Sequence, residues 1–205
     1  MTGRGKRSGG ISATELMARL EKDAEYQRKK KAFDAELQQR VRVLTEAERP
    51  IVADLRDAGV RVDSVWDLVN TAEPYPDALP VLLEHLERGG YPDRVMESLA
   101  RALAVKPAAV YWDRLVALYQ AQRVGSNAKD GLAVALAVTA TQATLGELFD
   151  LVDDPANGDS RILLLGELKR LGGPEGRSKL EALVDDPELG KEARHLLKSR
   201  KRRGR

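Results

Sequence analysis

Leu, Ala and Val recur three and four residues apart through much of the chain, the spacing that gives an α-helix one apolar face. The pattern predicts short helices separated by Pro, Gly and Asp. A verbatim repeat adds a longer period: Leu-Val-Asp-Asp-Pro stands at 151–155 and again at 183–187, 32 residues further on. A unit of that length is one helical hairpin, too small to bury its apolar face alone, so the period predicts hairpins stacked on one another.

Residues 1–11 hold Gly, Ser and Arg with little to pack, and are expected to be a disordered basic head. Residues 12–48 predict a long charged helix. No Pro or Gly interrupts it from Ser12 to Leu44, and Ser12 or Thr14 can cap its start. Its apolar residues gather at Leu16, Met17 and Leu20 and again at Phe33, Leu37, Val41 and Leu44, with a charged stretch between. Residues 49–72 predict two short capping helices. Pro50 marks a restart or kink, Gly59 suits the left-handed position after a helix end, and Asp63 or Ser64 opens a helix carrying Val65, Trp66, Leu68 and Val69. Residues 73–198 predict four hairpins. In the first, Asp77 caps a helix ending at Gly89-Gly90, and its partner runs from Pro92 through Leu103; the others pair 107–122 with 127–139, 144–152 with 159–171, and 174–184 with 187–198. Residues 199–205 are expected to be a disordered basic tail.

The second helices of the first three hairpins align without gaps over nine residues, Val95 to Leu103, Ala128 to Leu136 and Ser160 to Leu168, at offsets of 33 and 32. This resembles the HEAT repeat, in particular the bacterial HEAT-like type also found in phycobilisome lyases, whose second helix follows an Asp-Pro turn with a pattern near Val-Arg-x-x-Ala-x-x-Ala-Leu. Lys129 and Arg161 stand at the basic position of that pattern, Met96 departs from it, and the fourth repeat matches only loosely around 192–197. The resemblance covers about residues 78–197. It implies an all-α, right-handed α-solenoid that presents a concave face to a protein partner.

Composition narrows the chemistry. With no cysteine, thiolate metal sites and disulfides are excluded and a reducing cytoplasm is the expected setting. The Arg, Ala, Gly and Leu bias resembles a GC-rich bacterial genome. No apolar window is long enough to span a bilayer, and no secretory signal is visible. The net charge of +2 conceals an asymmetry: Arg4, Lys6 and Arg7 make the head basic, Lys198, Arg200, Lys201, Arg202, Arg203 and Arg205 make the tail basic, and residues 12–197 hold 25 basic against 32 acidic residues. Any contact with nucleic-acid phosphates is therefore expected from the tails and not from the body, and without interleaved aromatics it would be blind to sequence.

Catalytic constellations are absent. His85 and His195 lie too far apart in the chain for a zinc pair, no Gly-x-Ser-x-Gly elbow occurs, and Gly172-Gly173-Pro174 lacks the strand and Lys of a phosphate loop. Asp153-Asp154 and Asp185-Asp186 read as turn and capping residues able to pair with Lys129 or Arg161. Tyr111-Trp112-Asp113 invites comparison with HEAT-like alkylpurine DNA glycosylases. Those work in a basic groove, whereas this body is acidic, so Trp112 is assigned to the core. The expectation is a non-enzymatic monomer, without cofactor or metal, that acts as a scaffold or adaptor. In the nine-residue frame the fifth, eighth and ninth positions carry the apolar stripe, which leaves the third and seventh facing outward. These are Glu97 and Arg101, Asp130 and Val134, and Ile162 and Gly166. The expected partner site has an apolar centre at Val134 and Ile162, with Glu97, Arg101, Asp130 and Lys169 at its rim.

Overall fold

The computed structural model describes residues 11–198, apart from the side chains of Ala18 and Lys22. The basic head and the tail cations Arg200, Lys201, Arg202, Arg203 and Arg205 lie outside the described residues. Those described form eleven α-helices and two 3₁₀ segments, with no strand among them. The chain divides into two compact units between Val43 and Leu44.

In the first unit, α1 (Ala13–Lys22) opens on a reciprocal cap. The Glu15 N–H donates to Ser12 Oγ at 3.2 Å while the Ser12 N–H donates to the Glu15 carboxylate at 3.0 Å. The uninterrupted helix expected here breaks at Asp23. That residue takes an extended backbone, φ −80° and ψ 105°, and its Oδ1 accepts the N–H groups of Glu25 and Tyr26 at 2.9 and 3.0 Å, opening α2 (Ala24–Asp57). An Asp side chain offers the backbone a cap as an alternative to continuing the helix, and here that local choice wins without any Pro or Gly.

In the second unit the expected restart at Pro50 does not occur, and α2 runs through it. Pro50 leaves the Glu46 carbonyl without its helical donor, but both residues are exposed and water can serve that oxygen. The helix closes as the sequence predicts, with Gly59 at φ 84° and the Val60 N–H bonded back to the Leu55 carbonyl at 2.9 Å. Ile51 and Leu55 of α2 are fully buried. Near them the buried Glu48 accepts from Ser64 Oγ at 2.7 Å, with Ser98 Oγ, whose proton goes to the Val95 carbonyl at 2.8 Å, standing 3.4 Å away.

After the single-turn α3 (Trp66–Val69) come α4 (Ala78–Arg88) and α5 (Asp93–Ala102), then a 3₁₀ segment (Lys106–Tyr111) leading into α6 (Trp112–Ala121) and α7 (Asn127–Thr139). Next are α8 (Leu145–Asp153), a second 3₁₀ segment (Pro155–Leu164), α9 (Leu165–Leu171), α10 (Gly173–Ala182) and α11 (Gly190–Lys198). Neighbours in sequence pack as pairs, α4 on α5, α6 on α7, α8 on the second 3₁₀ segment and α10 on α11; α5 on α7 and α7 on the second 3₁₀ segment join successive pairs. Asp77, expected to cap α4, makes no such hydrogen bond.

Leu82, Leu99, Leu115, Leu132, Leu148 and Leu164 are fully buried, and each contributes ~1.5–3 kcal/mol by leaving water. Gly131 lets α5 and α7 approach closely: a Cβ there would stand 3.0 Å from both the Ala100 Cβ and the Glu97 carbonyl oxygen. The helix expected over 159–171 is instead 3₁₀ up to Leu164 and α only from Leu165. Gly158, just before that stretch, interrupts the second 3₁₀ segment. It sits at φ 68° and a Cβ on it would lie 2.4 Å from Val124, so the chain kinks against α7's preceding turn before it can wind into α9.

Candidate interaction face

The predicted site residues do not share one environment. Glu97, expected to face outward, is only 5% exposed. Its two carboxylate oxygens accept from Arg94 Nη1 at 2.6 Å and Arg101 Nε at 2.8 Å, and α7 approaches its backbone through Gly131. The close helix crossing buries a position that helical periodicity alone leaves free. Arg101 is half-buried as the partner of Glu97.

At the same two positions of the next aligned helix, Asp130 and Val134 are also half-buried. Burial raises the Asp130 carboxyl above the ordinary range, and the negative charges of Asp159, Glu97 and Asp93 push the same way against the pull of Arg101. Ile162 and its neighbour Leu163 are each 37% exposed, and Gly166 is exposed with open space where a side chain would stand. Lys169 stands apart: it is half-buried and its amine donates to the Leu196 carbonyl on α11.

Electrostatics thus joins Asp130 to Arg101, Glu97, Asp93 and Asp159, while Lys169 is committed elsewhere. Asp93, Asp159 and Leu163 were missed by the nine-residue frame. Asp93 lies two residues ahead of it, just after Pro92, and is a cap that joins α5 to the start of α7: its carboxylate accepts from the N–H groups of Asn127 and Ala128 at 2.9 and 3.0 Å and from Asn127 Nδ2 at 2.7 Å. Burial alone would raise this carboxyl, but those donors and the Arg123 charge hold it below the ordinary range.

The aligned basic residues serve the packing. Lys129, 1% exposed, donates to the Tyr119 carbonyl at 2.8 Å and to Asn157 Oδ1 at 3.3 Å. Burial lowers its ammonium pKa, and only Asp154 pulls the other way. Arg161, 5% exposed, donates to the Val152 carbonyl at 3.1 Å and pairs with Glu188. Both cations therefore bond the end of their own hairpin's first helix and reach a residue of the next hairpin, where the sequence pointed to the Asp pairs. Those Asp residues act differently: Asp154 and Asp186 cap local turns, and Asp153 pairs with Lys179.

Trp112 is buried and its Nε1 donates to Glu147 at 2.9 Å, while Asp113 beside it is exposed. His85 is buried between Tyr91 and Asp54, at 2.7 and 2.9 Å, and His195 is exposed on α11. Among the described residues no group of His, Asp or Glu is placed to hold a metal ion, and no helix is long and apolar enough to cross a membrane. Lys198, at the end of α11, is the one cation of the predicted phosphate-contacting tail that is described, and it is exposed. Comparison with family models, with curated proteins and with solved structures finds no match for this chain.

Proposed function

We propose that the second unit is a stack of HEAT-like hairpins whose work is to hold a protein partner, a basic amphipathic segment, without catalysis, in the bacterial cytoplasm. One observation carries this reading. Ile162 and Leu163, adjacent and each 37% exposed, belong to a segment that packs on α7, where Asp130 is held among the carboxylates of Asp159, Glu97 and Asp93. A partner that inserts an apolar side chain at Ile162 and sets a Lys or Arg near Asp130 and Asp159 would bury surface and relieve like-charge repulsion together. The face is asymmetric in this sense, apolar at the second 3₁₀ segment and acidic toward α5.

The test is capture from the cognate cell lysate by wild type, Ile162→Asp and the double variant Asp130→Asn/Asp159→Asn, with captured proteins quantified by mass spectrometry. Both variants should lose the same partner at least tenfold while keeping the wild-type circular dichroism spectrum and urea midpoint. An unchanged capture profile, or unfolding of Ile162→Asp, overturns the reading. The alternative, phosphate contact through the tails, predicts binding to random DNA that collapses with added salt, whereas the acidic face predicts no DNA binding at all.

A further inference from the structure

The first unit carries an apolar stripe of its own. Phe33, Leu37 and Val41 succeed one another at steps of four on α2 and are 64%, 50% and 54% exposed. Steps of three and four carry the same helical face on to Ile51 and Leu55, which are fully buried. One seam of one helix is therefore used as core at its C-terminal end and left to solvent at its N-terminal end.

We propose that the exposed half of this seam pairs with the same half of a second copy of the chain, antiparallel, about a two-fold axis at Leu37. The stripe is self-complementary in that arrangement. Phe33 and Val41 lie equally far on either side of Leu37, so the axis sets Leu37 against its own copy and brings the large Phe33 to the level of the small Val41. Charge agrees. Glu36 and Arg40 occupy one flank of the seam and already form an i,i+4 ion pair at 2.5 Å, with most of both side chains exposed. Two antiparallel helices bring like flanks together, so Glu36 of each copy lies about 3 Å in level from both Arg40 and Glu36 of the other, and the Arg40 side chains on the inner edge of the flank are placed to bridge the two carboxylates into a four-charge network. A parallel pairing would lose that match. Burying the stripe and its flanking stems on both copies removes on the order of 1,000 Å² in total, near the lower bound for a specific interface, so the dimer is a micromolar one. The monomer expected from the sequence is the opposing outcome of the experiment below, and the dimer is independent of the partner face on the second unit.

The experiment is analytical ultracentrifugation of the full chain across 1–200 µM (about the range a micromolar dimer demands), with its 22.6 kDa protomer mass as reference. The mass should double with concentration. Leu37→Asp should raise the dissociation constant at least tenfold with an unchanged circular dichroism spectrum, Glu36→Arg should weaken the dimer, and the swap Glu36→Arg/Arg40→Glu should restore it to near wild type. Because the chain has no cysteine, a mixture of Phe33→Cys and Val41→Cys chains should oxidise chiefly to the mixed 33–41 dimer. A monomer at every concentration overturns the proposal, as does dimerisation untouched by Leu37→Asp or a preference for 33–33 and 41–41 cross-links.

Discussion

Lys129 Nζ donates to the Tyr119 carbonyl at 2.8 Å and sits 4.2 Å from the centroid of the Tyr119 ring. One residue thus meets the amine in two ways: its carbonyl accepts a hydrogen bond and its ring face meets the positive charge. With Asn157 Oδ1 also accepting at 3.3 Å, the buried cation is satisfied by two successive hairpins.

Lys129→Ala removes the donor from these oxygens and leaves a cavity, so it should cost ~3 kcal/mol or more in urea melts. Lys129→Met keeps most of the volume, and the aligned position in the preceding hairpin is already a buried Met96. Its cost should be about half that of the Ala variant. Equal costs would mean that the charge, and not the filled space, is what the site requires.

Gly166 and Gly176 should respond in opposite directions to Ala. A Cβ on Gly166 meets nothing, and helix propensity alone then stabilises Gly166→Ala by ~0.5–1 kcal/mol. A Cβ on Gly176 would fall 1.9 Å from the Leu168 carbonyl oxygen, forcing α9 and α10 apart, and Gly176→Ala should lose more than ~2 kcal/mol. Thermal melts of the two variants should move to opposite sides of wild type.

The cap that Asp93 provides to the start of α7 should be visible in acid. Its carboxyl is held below the ordinary value of 3.8, so the stabilisation is complete above that pH and is lost as pH falls through the depressed folded value. Asp93→Ala should therefore cost ~1 kcal/mol at neutral pH. The gap from wild type should close as the solution is acidified below 3.8. A gap constant down to the acid transition would assign Asp93 a purely steric role.

At the alkaline end Tyr119 makes its own contribution. Burial pushes its phenol from 10.0 up to about 12, and its hydroxyl shares a 2.8 Å hydrogen bond with Ser160. The folded state holds this proton more tightly than the unfolded one, so the Tyr119 contribution to stability is intact below 10.0 and declines as pH rises toward 12, by on the order of 2–3 kcal/mol. Tyr119→Phe should lose ~1 kcal/mol at neutral pH with the hydrogen bond, yet show a shallower decline between 10 and 12. Urea midpoints of both proteins across that range decide it.

The sequence by itself determined the helical class, most element boundaries after residue 77, and the burial of Leu164 and Trp112. Those follow from short-range rules: apolar spacing on a helix, Pro and Gly at its ends, and the left-handed backbone that Gly59 and Gly89 adopt. A cap at Ser12 or Thr14 was legible for the same reason, and the structure selects Ser12, whose partner Glu15 lies within one turn. Only the tertiary structure decided which outward-looking positions stay exposed. Glu97 and Ile162 share one place in the frame, yet the close α5–α7 crossing at Gly131 buries the first and the kink at Gly158 leaves the second in contact with solvent. The partners of Lys129 and Arg161 likewise depend on how far one hairpin reaches into the next, a distance that no local pattern encodes.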